Sequence, residues 1–254
     1  MEVWIVCILA GMGAGLGTGF AGMSAAVIIS PMLITFLGMN PFEAIGIALA
    51  SDVLASAISA YTYGKNKNID LKRSKSLFVS VLIFTLIGAI IAHQVPTRTM
   101  GNISVYGSLF MGLNFLWKSF QEEKPAKQRE FKGKLQVWMP IICGALIGFV
   151  CGFMGAGGGI MMLMILTVVL GYELKTAVGT SVFIMTFTAL FGASSHFTLQ
   201  GILPDLGVLT MCVLSTLIFA LLGSRFANKA TTKVLNRATG TVLTVLGGLM
   251  IMTL

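Results

Sequence analysis

Few residues in this chain have side chains that could do chemistry, and they sit in unusual surroundings. Asp52 lies about ten residues inside the apolar stretch 42–63, where a carboxylate near mid-membrane depth costs roughly 2.5–3.5 kcal/mol. Such a group must face the protein interior. It reads either as a proton-coupling or gating carboxylate, or as a carboxyl satisfied by neighbouring hydroxyls such as Ser51 and Ser56; the spacing leaves both open. His196, in "SSHF" near the end of the stretch 174–197, is a second titratable group, read either as a coupling or gating residue or as a merely amphipathic interfacial histidine. The third feature is the run Gly155-Ala-Gly-Gly-Gly159, inside a 35-residue apolar stretch. Glycine costs roughly 1 kcal/mol per residue in a helix relative to alanine, so the run marks a place where a membrane helix breaks. Within a bilayer such a break survives only when it is buried or lines a cavity, and its free N–H groups and positive dipole end suit an anion.

A degenerate copy, Gly22-Met-Ser24-Ala-Ala26, interrupts a second 35-residue apolar stretch at 3–37. The residues expected to hold an anion are therefore Gly22, Ser24, Gly155, Gly157, Gly158 and Gly159, joined by the hydroxyls of Thr180 and Ser181 on the helix after the second break. Asp52 and His196 would couple or gate. An enzyme is not expected, because Asp52 has Met185 rather than an acid at its repeat position and no Ser/His or metal constellation stands near it. Cys7, Cys143, Cys151 and Cys212 all lie in apolar runs without a CxxC, so they read as small hydrophobes rather than metal ligands or a disulfide framework. "GTGFAG" at 17–22 fits G-x-G-x-x-G, but a dinucleotide site needs a strand before it and a helix after it in a βαβ unit. No glycine run continues into a phosphate-binding GKS/T. Neither cofactor nor metal is expected.

The elements that position these residues follow from composition. Of 254 residues 56% are hydrophobic and 10% charged, with mean hydropathy +0.92, against about 25% charged in soluble domains. Apolar stretches recur at 3–37, 42–63, 76–95, 99–117, 136–170, 174–197, 205–224 and 238–254; a crossing needs about 20 residues. The chain reads as an all-α polytopic membrane protein, with "MEVWIVCILAGMGAG" as a retained first segment rather than a cleaved signal. The net charge of +8 fits the excess of Lys and Arg in cytoplasmic loops rather than nucleic-acid binding.

The hydrophilic segment 118–134 divides the chain into a first membrane repeat, 1–117, and a second, 135–254. A shift of 133 aligns Gly11, Gly15, Gly19, Phe20, Gly22, Gly38, Ala44 and Gly46 with Gly144, Gly148, Gly152, Phe153, Gly155, Gly171, Ala177 and Gly179. A shift of 135 then pairs Gly88 with Gly223 and Gly112 with Gly247. Charge sets their relative orientation. The loop 64–75 carries five Lys/Arg and its counterpart near 197–208 none, whereas 225–237 carries four and its counterpart near 90–102 one. Equivalent loops thus fall on opposite sides, as inverted-topology repeats require. With the N-terminus outside, the cytoplasmic loops 64–75, 118–134, 171–176 and 225–237 hold 16 of the 17 Lys/Arg. The glycines at 11, 15 and 19, and at 144, 148 and 152, form small-xxx-small ridges for close helix packing.

These residues resemble the sulfite exporter TauE/SafE family, also described as toluene sulfonate uptake permeases. Its pattern has two copies of a glycine run, a proline a few residues on, and a "TS" step on the next helix, which ends in His or an aromatic residue before a short loop containing glycine. The second copy here keeps Gly155–Gly159, Gly179-Thr180-Ser181, His196 and Gly201, with Met164 at the proline position. The first keeps Pro31 and Gly38, with Ser24, Ala25 and Ala26 in place of the three glycines and Gly46-Ile47-Ala48 in place of the hydroxyl step. The resemblance implies export of small, often sulfur-containing anions (sulfite, sulfonates, thiosulfate) across a bacterial inner membrane. The alternative is a channel-like or structural membrane subunit without a substrate of its own. Membrane-facing surface on so small a transporter suits a homodimer.

Overall fold

The computed structural model describes residues 2–96, 135–154, 158–200 and 204–227, with single positions between 99 and 117 and between 231 and 245. Among the described residues the regular structure is helical: α1 (Glu2–Ala21), α2 (Ala26–Leu37), α3 (Pro41–Lys65), α4 (Leu71–Ala92), α5 (Leu135–Met154), α6 (Gly158–Met164, continued by a π turn over Ile165–Val169), α7 (Leu174–Gln200) and α8 (Leu206–Ala227). Of these α1, α3, α4, α7 and α8 are long and apolar enough to cross a membrane. By contrast α2, with 12 residues, rises only ~18 Å, too short to cross alone. The segment linker 118–134 and the glycines Gly155 and Gly157 lie outside the described residues.

Local chemistry sets the helix ends. Gly22 adopts φ +60°, a left-handed conformation open to glycine at little steric cost, and α1 stops there. Beyond it the Ser24 hydroxyl accepts the Ala26 N–H at 3.3 Å, starting α2. Gly38 (φ +62°) closes α2 with its own N–H on Leu33 O, and Asn40 caps α3 by accepting the Phe42 N–H at 3.0 Å, with Pro41 at the first position. Asp70 does the same for α4 through the Arg73 N–H, 3.2 Å away. In the second half Gly158 and Gly159 are helical, at the described start of α6, where the expectation was unwound chain through 159. The π turn ends at Gly171 (φ +66°), with Arg73 over the Tyr172 ring at 4.8 Å and donating to Leu170 O at 3.3 Å.

Packing places α1 along α8, α5 along α4, and α3 along α7. The two glycine ridges serve the first two contacts. A Cβ on Gly15 would come 2.7 Å from Ala220 N, and one on Gly19 2.7 Å from Ala220 O. On α5, a Cβ on Gly144 would meet Leu77 O at 2.8 Å and one on Gly152 would meet Ala89 N at 2.8 Å. Backbone cannot move aside as a side chain can, so these approaches require glycine. The pair α3 and α7 runs antiparallel: Gly46 faces Phe197, Leu49 faces Gly192, and Tyr63 faces Gly179. Outward faces are apolar, with Val79, Ile83, Ile87 and Ile90 on α4 and Leu214, Ile218, Leu222 and Phe226 on α8 all exposed. Such stripes at helical spacing, on helices long enough to span, face lipid.

Candidate functional site

The buried centre is where the break after α1 meets the start of α6. Ser24 donates its hydroxyl to Asp52 Oδ2 at 2.7 Å, and the Ala25 backbone N–H lies within electrostatic reach of the same carboxyl. Asp52 therefore sits at the N-terminal end of α2, on the positive side of its dipole, while the Ala26, Val27 and Ile28 N–H groups there turn to Ser24 Oγ, Ser24 O and Ala25 O. Both residues are buried, and Asp52 Oδ1 has no hydrogen-bond partner. From the other half, Gly159 packs on this break: a Cβ there would collide with Gly22 O and stand 2.9 Å from Ser24 N and 2.6 Å from Met185 Sδ. From α7, Ser181 closes the group, since a Cβ on Gly22 would lie 2.6 Å from its Oγ. In this structure the Ser181 hydroxyl donates to Val178 O at 2.8 Å.

The structure thus brings together Gly22, Ser24, Asp52, Gly159 and Ser181. Gly158 is next to them as the first residue of α6. Thr180 is not part of this group. It is buried, but its hydroxyl accepts the Asp70 N–H at 3.0 Å, holding the loop before α4 against the first turns of α7. A hundred degrees separate neighbouring side chains on a helix, which is why Ser181 faces the break and Thr180 faces the loop.

His196 also lies elsewhere, ~22 Å further along α7 than Ser181 at 1.5 Å per residue. It is buried beside Phe42 (ring centroids 6.4 Å apart), with its ring against the Gly152 backbone and Nε2 unpartnered. Sequence reasoning passed over its counterpart. Tyr63 is buried and donates its hydroxyl to Gly19 O at 3.2 Å. Gly19 lies in the last turn of α1, whose terminal carbonyls lack helical partners because the helix ends; Gly152 occupies the same place in α5. The signal was available, since the shift of 133 that pairs Gly19 with Gly152 also pairs Tyr63 with His196. The pairing of a phenol with an imidazole obscured it.

Apolar helices with outward apolar stripes, closed around a buried polar break, define a polytopic membrane protein. The chain belongs to the sulfite exporter TauE/SafE family, whose model matches residues 7–250. It is similar to a probable membrane transporter protein of Methanocaldococcus jannaschii, 25% identical over 264 residues that cover 96% of this chain and 94% of the relative. It is also similar to the probable membrane transporter protein YunE of Bacillus subtilis, 23% identical with 76% of this chain and 78% of the relative covered. A second Bacillus subtilis relative, YdhB, is 37% identical over 86 residues, 34% of this chain and 33% of its own. No solved structure matches the chain.

Proposed function

We propose that this transporter exports small sulfur-containing anions (sulfite, thiosulfate or sulfonates) by alternating access of two inverted-topology repeats, 1–117 and 135–254, joined by a cytoplasmic linker at 118–134. The observation that carries the reading is the meeting of the two halves at one buried point, Gly159 against Gly22 and Ser24, with Asp52 held there by Ser24. Support for the repeats comes from recurrence. Helices α3 and α7 begin 133 residues apart, and α4 and α8 begin 135 apart. Partners exchange accordingly: α1 lies on α8, whereas its counterpart α5 lies on α4, the counterpart of α8. The equivalent helices α3 and α7 run in opposite directions, as an inverted relation requires.

In this mechanism the substrate anion takes the Ala25 N–H and the Ser24 hydroxyl, with Ser181 and the backbone of Gly155, Gly157, Gly158 and Gly159 completing its shell. The Asp52 carboxylate competes for the same donors. Protonation makes it neutral and frees them, so that anion and proton share the site. His196 gates the opposite end. The membrane is the inner membrane, with the N-terminus outside and loops 64–75, 118–134 and 225–237 in the cytoplasm.

The test is flux of radiolabelled sulfite, thiosulfate and a small sulfonate in liposomes holding the purified protein, with and without an imposed pH gradient. Saturable flux is expected, weakened in Ser24→Ala and made insensitive to the gradient in Asp52→Asn. Absence of flux for every sulfur anion refutes the substrate assignment.

A further inference from the structure

The face of α3 that carries Asp52 is polar in one direction only. Ser56, Ser59 and Tyr63 follow Asp52 by four, seven and eleven residues, spacings that keep them on its side of the helix. All three are buried. The Ser56 hydroxyl donates to Asp52 O at 2.5 Å, and Ser59 Oγ has no partner, as Asp52 Oδ1 has none. Two unpartnered, fully buried polar atoms on one face are the places where a bound water finds its hydrogen bonds. This lane runs ~16 Å along the helix and ends at Tyr63, whose hydroxyl is held on Gly19 O. Immediately beyond are the exposed residues Lys65 and Asn66. Toward the other end of α3, the same face carries Leu49, Ala48 and Ile45, all buried and without a polar side-chain atom.

We propose that Asp52 exchanges its proton with only one side of the membrane, the side bearing Lys65 and the 66–70 loop, through the hydroxyls of Ser56 and Ser59, with Tyr63 closing the far end. This rests on the reading of Asp52 as the coupling carboxyl and adds its direction of access. The proton leaves Oδ1 for a bridging water or hydroxyl oxygen as that group's own proton moves to the next. Asp52 is left as a carboxylate, and one proton is released at the loop face. Among the described residues, the helices packed on α3 bring few titratable groups. The helix α2 has no titratable residue; α1 brings Glu2 and Cys7, α7 brings Lys175 and His196, and α8 brings Cys212 and Arg225. None of these is hydrogen-bonded to Asp52, whose side-chain partner is Ser24.

The experiment uses the full chain in vesicles without any sulfur anion, sorted for one orientation by labelling Lys65→Cys with a membrane-impermeant thiol reagent. The infrared carboxyl band of Asp52, isolated by subtracting Asp52→Asn, is followed while pH is stepped on either side alone. The band is expected to follow the pH of the Lys65 side and to ignore the other. Ser59→Ala should slow the response about tenfold, the rate equivalent of one lost hydrogen bond, and Ser59→Thr should restore it. A band that follows the opposite side, or an alanine variant as fast as wild type, overturns the route while leaving Asp52 as the carrier. A band that titrates from neither side overturns the carrier role and the route together, whatever the flux assay gives.

Discussion

Replacing Gly22 and Gly38 by alanine separates two costs that usually come together. Both positions have φ near +60°, so a Cβ at either costs about 1–2 kcal/mol of backbone strain. The lowered entropy of the unfolded chain offsets part of this equally in both. Space distinguishes them. No atom lies within 4 Å of a Cβ on Gly38, whereas one on Gly22 would stand 2.6 Å from Ser181 Oγ and 3.4 Å from methyl groups of Val178 and Val182. Overpacking of that kind adds about 1–3 kcal/mol. At ~2–4 °C per kcal/mol for a chain of this size, Gly22→Ala should melt several degrees below Gly38→Ala. The melt is read in detergent with a thiol-reactive fluorophore, since Cys7, Cys151 and Cys212 are buried until the fold opens. A double variant, Gly22→Ala with Ser181→Ala, should recover most of the excess, because the hydroxyl is the obstructing atom. Equal losses at Gly22 and Gly38, or no recovery in the double variant, would refute the claim that the break is seated on Ser181.

Other expectations can be checked in the same assay. Tyr63→Phe removes one buried hydrogen bond and leaves Gly19 O without its phenol, so a loss of about 1–2 kcal/mol is expected; an unchanged melting temperature would contradict the capping role. Gly152→Ala drives a Cβ into the backbone of Thr85 and Ala89, and Gly19→Ala drives one into Ala220 and Ser224. The two should cost similar amounts, about 1–3 kcal/mol each; a loss at one position alone would contradict equivalent packing of α1 and α5. Asn40→Ala deletes the α3 cap and should cost ~1 kcal/mol without changing the infrared carboxyl band of Asp52. A shifted band would show that the start of α3 sets the Asp52 environment.

The membrane class and the interrupted apolar stretches were legible from sequence because they depend on local quantities. A glycine run lowers helix stability wherever it falls, and a 20-residue apolar helix is dictated by the bilayer. The ridge glycines were likewise readable as close contacts, since spacing by four puts them on one face. What those faces touch was not readable. That α1 packs on α8 and α5 on α4 depends on matching surfaces far apart in the chain. So does the convergence of Gly22, Ser24, Asp52, Gly159 and Ser181, drawn from the break after α1 and from three helices, α3, α6 and α7. Thr180 and Ser181 are adjacent and chemically alike, yet one holds a loop and the other faces the break. Sequence determined that this chain breaks its apolar helices at glycine and that each break must be buried or line a cavity, because no water within a bilayer can satisfy free backbone. The tertiary structure alone decided that the first break is answered by a carboxyl from α3, because a hydrogen bond needs two groups within about 3 Å and only folding brings residues 24 and 52 that close.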